Sequence, residues 1–224
     1  MLRTLFLLVL FCLGIPVPAA AQIPTGFVDM GEFLVGVQIE ARYATGDNFV
    51  GVPIDGYEAG KVLLTQEAAD ALLAVRIELR EAGLGLKLFD GYRPQRAVDH
   101  FARWAQDAED QRMKSAYYPR IEKPALFVQG YIAAQSGHSR GSAVDLTLVA
   151  LDTGEELDMG TPWDFFDPRS APASAEVTPQ QRARRELLQI TMMKHGFEPL
   201  DTEWWHFKLI DEPYPDTYFD FVIE

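Results

Sequence analysis

Ser136-Gly-His-Ser-Arg-Gly-Ser-Ala-Val-Asp145-Leu-Thr-Leu-Val149 is the stretch on which the reading of this chain turns. Its second half, Ala143 to Val149, reads as a strand. Side chains alternate along a strand, so Asp145 shares a face with Ala143, Thr147 and Val149, opposite Val144, Leu146 and Leu148. Its first half places His138 just before Ser-Arg-Gly141, a turn in which Gly141 permits a left-handed backbone or close packing. About sixty residues later Glu203-Trp-Trp-His206 leads into a second strand, Trp204 to Ile210. There His206 groups with Lys208 and Ile210, opposite Trp205, Phe207 and Leu209. Asp145 and His206 each fall on the more polar side of a strand whose other side is core, and two such strands side by side aim both at one point. Glu203, three residues before His206, would face the other way in a continuous strand; it belongs on the turn begun by Asp201-Thr202.

Two imidazoles and a carboxylate, from His138, Asp145 and His206, make the ligand set of a catalytic zinc with one position left open for water. Glu203, close to the last ligand but not part of the set, suits a general base. Each residue alone has an ordinary reading: a lone histidine is usually structural, a strand aspartate hydrogen-bonded, and Glu-x-x-His common by chance. His100, in a helix beside Phe101, and His195, in a last helical turn before Gly196, show how ordinary such histidines are. The combination carries the chemistry: metal-assisted hydrolysis.

Outward from this pair the chain reads as mixed helices and strands. Gln22 to Ile39 is an extended arm leading into a strand around Phe33–Ile39, and Arg42 to Phe49 is a loop rich in turn formers. Thr65 N-caps a helix to about Ala82, stopped by Gly83, with Leu72, Leu73, Ile77 and Leu79 as its apolar face. Leu84 to Phe89 reads as a strand. Pro94, whose missing N–H is not needed at a helix start, opens a helix to about Ala108 with Val98, Phe101, Ala102 and Ala105 inward. Gln111 to Gln135 is irregular, with Tyr117-Tyr118-Pro119 a surface loop, and Thr153 to Ala175 is loop-rich. Thr178-Pro179 starts a last helix that Gly196 ends. The order has no regular βαβ rhythm, which points to an α+β fold: a small antiparallel sheet carrying the zinc site, flanked by helices.

Arg3, the apolar run Leu5 to Val17 and the small residues Ala19-Ala20-Ala21 describe a secretory signal peptide over residues 1–21, too short for a membrane span with flanks. Residues 22–224 then form a single exported domain, periplasmic or secreted, with no later segment suited to membrane insertion. Cys12, the only cysteine, lies in the apolar run, so the mature chain has neither disulfides nor a thiolate ligand. With 48% of its residues apolar, the chain can bury a real core. Thirty-three acidic residues against 20 basic ones, a net charge of −13, argue against nucleic acid or an anionic membrane surface as partner. No feature of the sequence sets an oligomeric state.

The pattern Ser136-x-His138-x-x-Gly141-x-Ala143-x-Asp145 followed by Glu203-x-Trp-His206 resembles the signature of zinc D,D-peptidases of the D-alanyl-D-alanine dipeptidase type, which share a fold with D,D-carboxypeptidases and the hedgehog amino-terminal domain. Tyr43-Ala-Thr-x-Asp47-Asn48-Phe49, Asp90-Gly91-Tyr92-Arg93-Pro94, Asp145-Leu-Thr-Leu148 and Met159-Gly160-Thr161-Pro162 look like further segments of that branch, so the likeness spans about residues 40 to 210. It implies one zinc per chain on His138, Asp145 and His206, with Glu203 as catalytic base. It also implies Arg93 as stabiliser of the tetrahedral intermediate, where the residues alone allow equally an ion pair with Asp90. Ser136, Tyr43 and Asp164 match positions near a bound small D,D-dipeptide. Asp164 is the candidate for its ammonium, with a turn or cap aspartate as the ordinary alternative. Trp204 is expected to wall the pocket and Trp205 to pack the core. Well-known members of this branch work in the cytoplasm, which the exported start of this chain departs from. Two other classes stay open: a D,D-carboxypeptidase or endopeptidase acting on longer wall peptides, and a non-catalytic zinc-binding module.

Overall fold

The computed structural model describes residues 23–224; the segment read as a signal peptide lies outside the described residues. In chain order the strands are β1 (Phe27–Asp29), β2 (Gln38–Ile39), β3 (Leu63–Thr65), β4 (Leu84–Asp90), β5 (Ala143–Ala150), β6 (Phe197–Leu200) and β7 (Glu203–Leu209). The helices are α1 (Met30–Phe33), α2 (Gln66–Glu81), α3 (Gln95–Gln106), α4 (Lys114–Tyr117), α5 (Lys123–Val128) and α6 (Pro179–Lys194), with short 3-10 turns at Arg42–Ala44, Gly137–Arg140 and Pro168–Ser170. One sheet has the order β2-β4-β5-β7-β6, antiparallel throughout except for the edge pair β2–β4, and a small second sheet pairs β1 with β3. This is the α+β arrangement that the sequence predicts.

Local chemistry explains the long helices. The Thr65 hydroxyl accepts the Ala68 N–H at the start of α2, and beyond its end Gly83 takes φ +72°. Thr178 and Gln181 cap α6 reciprocally. The buried face of α2 is Ala68, Ala69, Leu72, Val75 and Leu79; Ile77, expected inward, is exposed. On α3, Trp104 rather than Ala102 joins Val98, Phe101 and Ala105 in the core.

Four expectations are corrected. The strand foreseen around Phe33–Ile39 is only β2, preceded by α1, whose start Asp29 caps by accepting the Gly31 N–H. The supposedly irregular Gln111 to Gln135 contains α4 and α5. Tyr117 and Tyr118 are buried there, because Tyr118 packs edge-on against Trp104 and the Tyr117 carbonyl accepts the Phe166 N–H. Finally, β5 is buried on both faces: Trp163, stacked on Phe89 with ring centroids 5.1 Å apart, closes the side that carries Asp145.

Two irregularities in the sheet prepare the site. Regular pairing of β4 with β5 slips between Leu88 and Asp90, which sets Asp90 directly opposite Asp145. Pairing of β6 with β7 shifts between Pro199 and Leu200, so that Leu200 pairs with Glu203 while Pro199 pairs with Phe207. Glu203 is thus the first residue of β7, after the turn at Asp201-Thr202, rather than a residue of the turn itself. The shift breaks strict alternation and lets Glu203 and His206 line one cavity.

Candidate active site

Asp145 and His206 are register partners on β5 and β7, and His138 arrives from the 3-10 turn that precedes β5. His206 Nδ1 lies 3.0 Å from Asp145 Oδ1 and 3.0 Å from His138 Nε2. His138 Nε2 is 3.3 Å from the same Asp145 oxygen. Zinc bonds of about 2.0–2.1 Å in a tetrahedral site put neighbouring donors roughly 3.3 Å apart. The three atoms therefore form a triangle of the size the ion needs, and two nitrogens with one carboxylate oxygen match its preferences. The imidazole of His138 is oriented from behind, since its Nδ1 meets the Gly91 carbonyl at 2.7 Å, leaving Nε2 for the cavity. A Cβ on Gly91 would lie 2.4 Å from the Leu63 carbonyl oxygen, so only glycine fits there. Gly141, at φ +80°, ends the turn in the left-handed region, and a Cβ there would lie 2.3 Å from the Phe27 ring.

The electrostatics favour the same use. Burial alone would raise Asp145, but the charges and hydrogen bonds of His138 and His206 hold it well below the usual carboxylate range. Burial lowers His206, against the opposing pull of its hydrogen bond and charge contact with Asp145. Asp145 Oδ2 accepts from the Trp163 indole at 3.2 Å, a contact no sequence pattern announces.

Arg93 is both an ion-pair partner and a cavity residue. Its Nε and Nη2 reach Asp90 Oδ2 at 2.9 and 2.8 Å, and Nη2 stands 3.8 Å from Asp145. Burial works against its charge, yet the surrounding Tyr43, Asp90, Tyr57 and Asp145 raise its pKa well above the usual value. Tyr57 completes the arrangement by donating to Asp90 Oδ1 at 2.7 Å. Asp90 is thus the orienting carboxylate, in place because of the β4 slip.

A cavity is lined by His138, Asp145, His206, Glu203, Arg93, Asp164, Tyr43 and Ser136, so all eight residues singled out from sequence meet there. Asp164 is buried, adopts φ +60°, and accepts the Tyr43 hydroxyl at 2.7 Å. A non-glycine residue in that backbone region is uncommon and concentrates at functional sites. Burial first, then the charge of Asp145, pushes Asp164 well up. Burial, with Asp145 and Asp164, does the same to Glu203. Ser136 accepts the His138 N–H at 3.2 Å, so part of its capacity serves the turn. Trp204 does not wall this cavity: its indole donates to Thr161 at 2.9 Å on another side of the sheet. Tyr131 and Phe166 form cavity wall instead, with ring centroids 5.3 Å apart. His100 and His195 take structural contacts, with the Asp55 N–H and Glu78 respectively.

With this geometry in hand, likeness to known proteins is informative. Residues 24–224 match the family model described as D-ala-D-ala dipeptidase. The chain is 49% identical to a D-alanyl-D-alanine dipeptidase of Enterococcus faecalis over 88% of its length and 98% of that protein. It is 46% identical to one from Enterococcus faecium over 89% of its length and 98% of that protein. A Streptomyces coelicolor D-alanyl-D-alanine dipeptidase is 48% identical, over 88% of this chain and 96% of that one. The chain therefore belongs to the D-alanyl-D-alanine dipeptidase family of metallopeptidases.

Proposed function

We propose that this chain hydrolyses free D-Ala-D-Ala to two molecules of D-alanine, with one zinc held by His138, Asp145 and His206. The observation that carries this reading is the convergence of that donor triangle, Glu203, Arg93 and the buried Asp164 on one cavity. Zinc bound there would polarise the amide carbonyl and lower the pKa of a bound water from 15.7 to about 7.

The protein's own groups do the rest. Glu203, buried and high in proton affinity, takes the proton of the attacking water and hands it to the leaving amine. General acid–base help of this kind contributes about 10²–10⁴ in rate. Arg93, fixed by Asp90, offers its guanidinium to the oxygen on which negative charge develops. Asp164 receives the substrate ammonium: an incoming cation offsets the burial that raises its pKa, and Tyr43 holds one of its oxygens by hydrogen bond. Ser136, at the other end of the metal turn, contacts the dipeptide as well. A buried acid that requires a cation selects a free amino terminus.

Residues 22–224 act as one domain, which residues 1–21 direct out of the cytoplasm to the periplasm or medium; the charged, apolar and small-residue order of that segment supports this. The substrate there is dipeptide derived from the cell wall. Among the described residues no helix is long and apolar enough to cross a membrane. The decisive assay compares free D-Ala-D-Ala, its N-acylated form and a wall pentapeptide with zinc-loaded protein. Cleavage of the free dipeptide alone is expected; cleavage of the longer peptides would make the chain a carboxypeptidase or endopeptidase, and none at all a binding module.

A further inference from the structure

The C-terminal residues Phe219, Asp220 and Phe221 contribute no atom to the cavity, yet they touch the segments on both sides of it. α3 begins directly after Arg93 and Pro94, and Pro94 supplies no side-chain cap. The first N–H groups of a helix have no partner within it. Here the chain end supplies them: the Gln95 N–H donates to the Phe219 carbonyl at 3.0 Å, and the Arg96 N–H to Asp220 Oδ1 at 2.8 Å. The Phe219 N–H in turn donates to the Ser139 carbonyl at 2.9 Å, one residue from the metal ligand His138. The Arg93 N–H donates to the His138 carbonyl at 3.2 Å, which closes the ring. Tyr92, on the other side of Arg93, donates its hydroxyl to the Phe221 carbonyl at 2.9 Å and stacks on the Phe221 ring at 4.0 Å.

We propose that residues 219–221 are a positioning strap that fixes Arg93 relative to His138, with Asp220 acting as the N-cap of α3 from 124 residues away in sequence. The proposal rests on the role given to Arg93 above. The side chains of Arg96 and Asp220 are 43% and 47% exposed, so their ion pair in water contributes little. The cap is the part that matters. Asparagine caps as well as aspartate does, whereas alanine does not.

The test uses the zinc-loaded full chain in three variants. Asp220→Ala removes the cap, Asp220→Asn keeps an acceptor, and Thr178→Ala removes the cap of α6, a helix that contributes no residue to the cavity, as a control of comparable stability loss. Turnover of D-Ala-D-Ala, amide exchange at Gln95 and Arg96, and zinc release to a chelator are read for each. Asp220→Ala is expected to lower kcat about tenfold with KM within about twofold, in keeping with the steep cost of misplacing a catalytic group. It should also speed exchange at both amides and quicken zinc release, while Asp220→Asn and Thr178→Ala keep wild-type kcat. Wild-type kcat in Asp220→Ala despite faster exchange, or an equal fall in Thr178→Ala, would overturn the strap. If the wild type does not cleave the dipeptide, the functional reading fails by itself. The strap then stands only if Asp220→Ala, and not Thr178→Ala, releases zinc faster than wild type.

Discussion

Asp145 and Glu203 are carboxylates lining one cavity, pushed in opposite directions. Two imidazoles hold Asp145 ionised, while burial and two neighbouring acids raise Glu203. Such a split separates a metal ligand from a proton carrier. Glu203→Ala is therefore expected to retain zinc at wild-type stoichiometry while kcat falls by about 10²–10⁴. Metal analysis beside turnover checks this, and loss of zinc along with activity would make Glu203 a ligand instead. Asp164 is argued from its partners in the same way. Asp164→Asn keeps the shape and the contact with Tyr43 but removes the charge that meets the ammonium. KM for free D-Ala-D-Ala should rise at least about tenfold, the cost of one lost charge-assisted contact, with the wild-type preference over N-acylated dipeptide reduced. An unchanged KM would return Asp164 to a structural role. At this scale the sequence was informative, because ligand chemistry is written in residue types. The Arg93–Asp90 ion pair was legible as one of two readings of Arg93, and it is present. Trp163 was not legible as a partner of Asp145, since nothing in the sequence states which side chains a packed loop brings together.

Elements set by local chemistry were legible: α2 and α6 start at threonine caps and end before glycines, as their sequences require. β6 was not, because Phe197–Leu200 contains Pro199 and is a strand only by pairing with β7 at the sheet edge, where proline is tolerated. The facing of Glu203 and His206 was likewise hidden in a register shift. The loop that presents Asp164 is also held from afar. Asp167, fully buried, accepts the Arg169 N–H at 2.9 Å and is gripped by the guanidiniums of Arg120 and Arg169. Burial would raise its pKa, but these bonds bring it down to about 2. A depressed pKa contributes stability above the unfolded value of about 3.9 and loses it as pH falls through the folded one. Asp167→Asn should therefore cost about 1.5–3 kcal/mol near neutrality, the worth of hydrogen bonds to a charged group. The gap from wild type should close as pH drops from about 4 to about 2. Denaturant melts across that range measure it, and a gap independent of pH would show that charge at Asp167 is immaterial.

At the scale of the whole molecule, the three zinc donors come from separate segments that the core holds in place. β5 and β7 are buried and hydrogen-bonded through Asp145 and His206, Phe27 and Thr65 pack against Gly141, and His138 rests on the Gly91 carbonyl. All of these contacts are made by protein groups, from which the core, rather than the ion, is expected to assemble the triangle. Removing zinc should then leave secondary structure intact while abolishing turnover. It should still lower the melting temperature, because an ion that binds only the native state stabilises by RT ln(1 + [L]/Kd), about 2.7 kcal/mol at a hundredfold excess over Kd. For a chain of this size that is a shift of roughly 5–10 °C. Circular dichroism and a thermal melt, each with and without chelator, read the two effects, and added zinc should reverse both the shift and the loss of turnover. Turnover that survives in protein shown to be metal-free would remove the metal from the reaction. Collapse of the helical signal on chelation would show instead that the ion, rather than the core, assembles His138, Asp145 and His206.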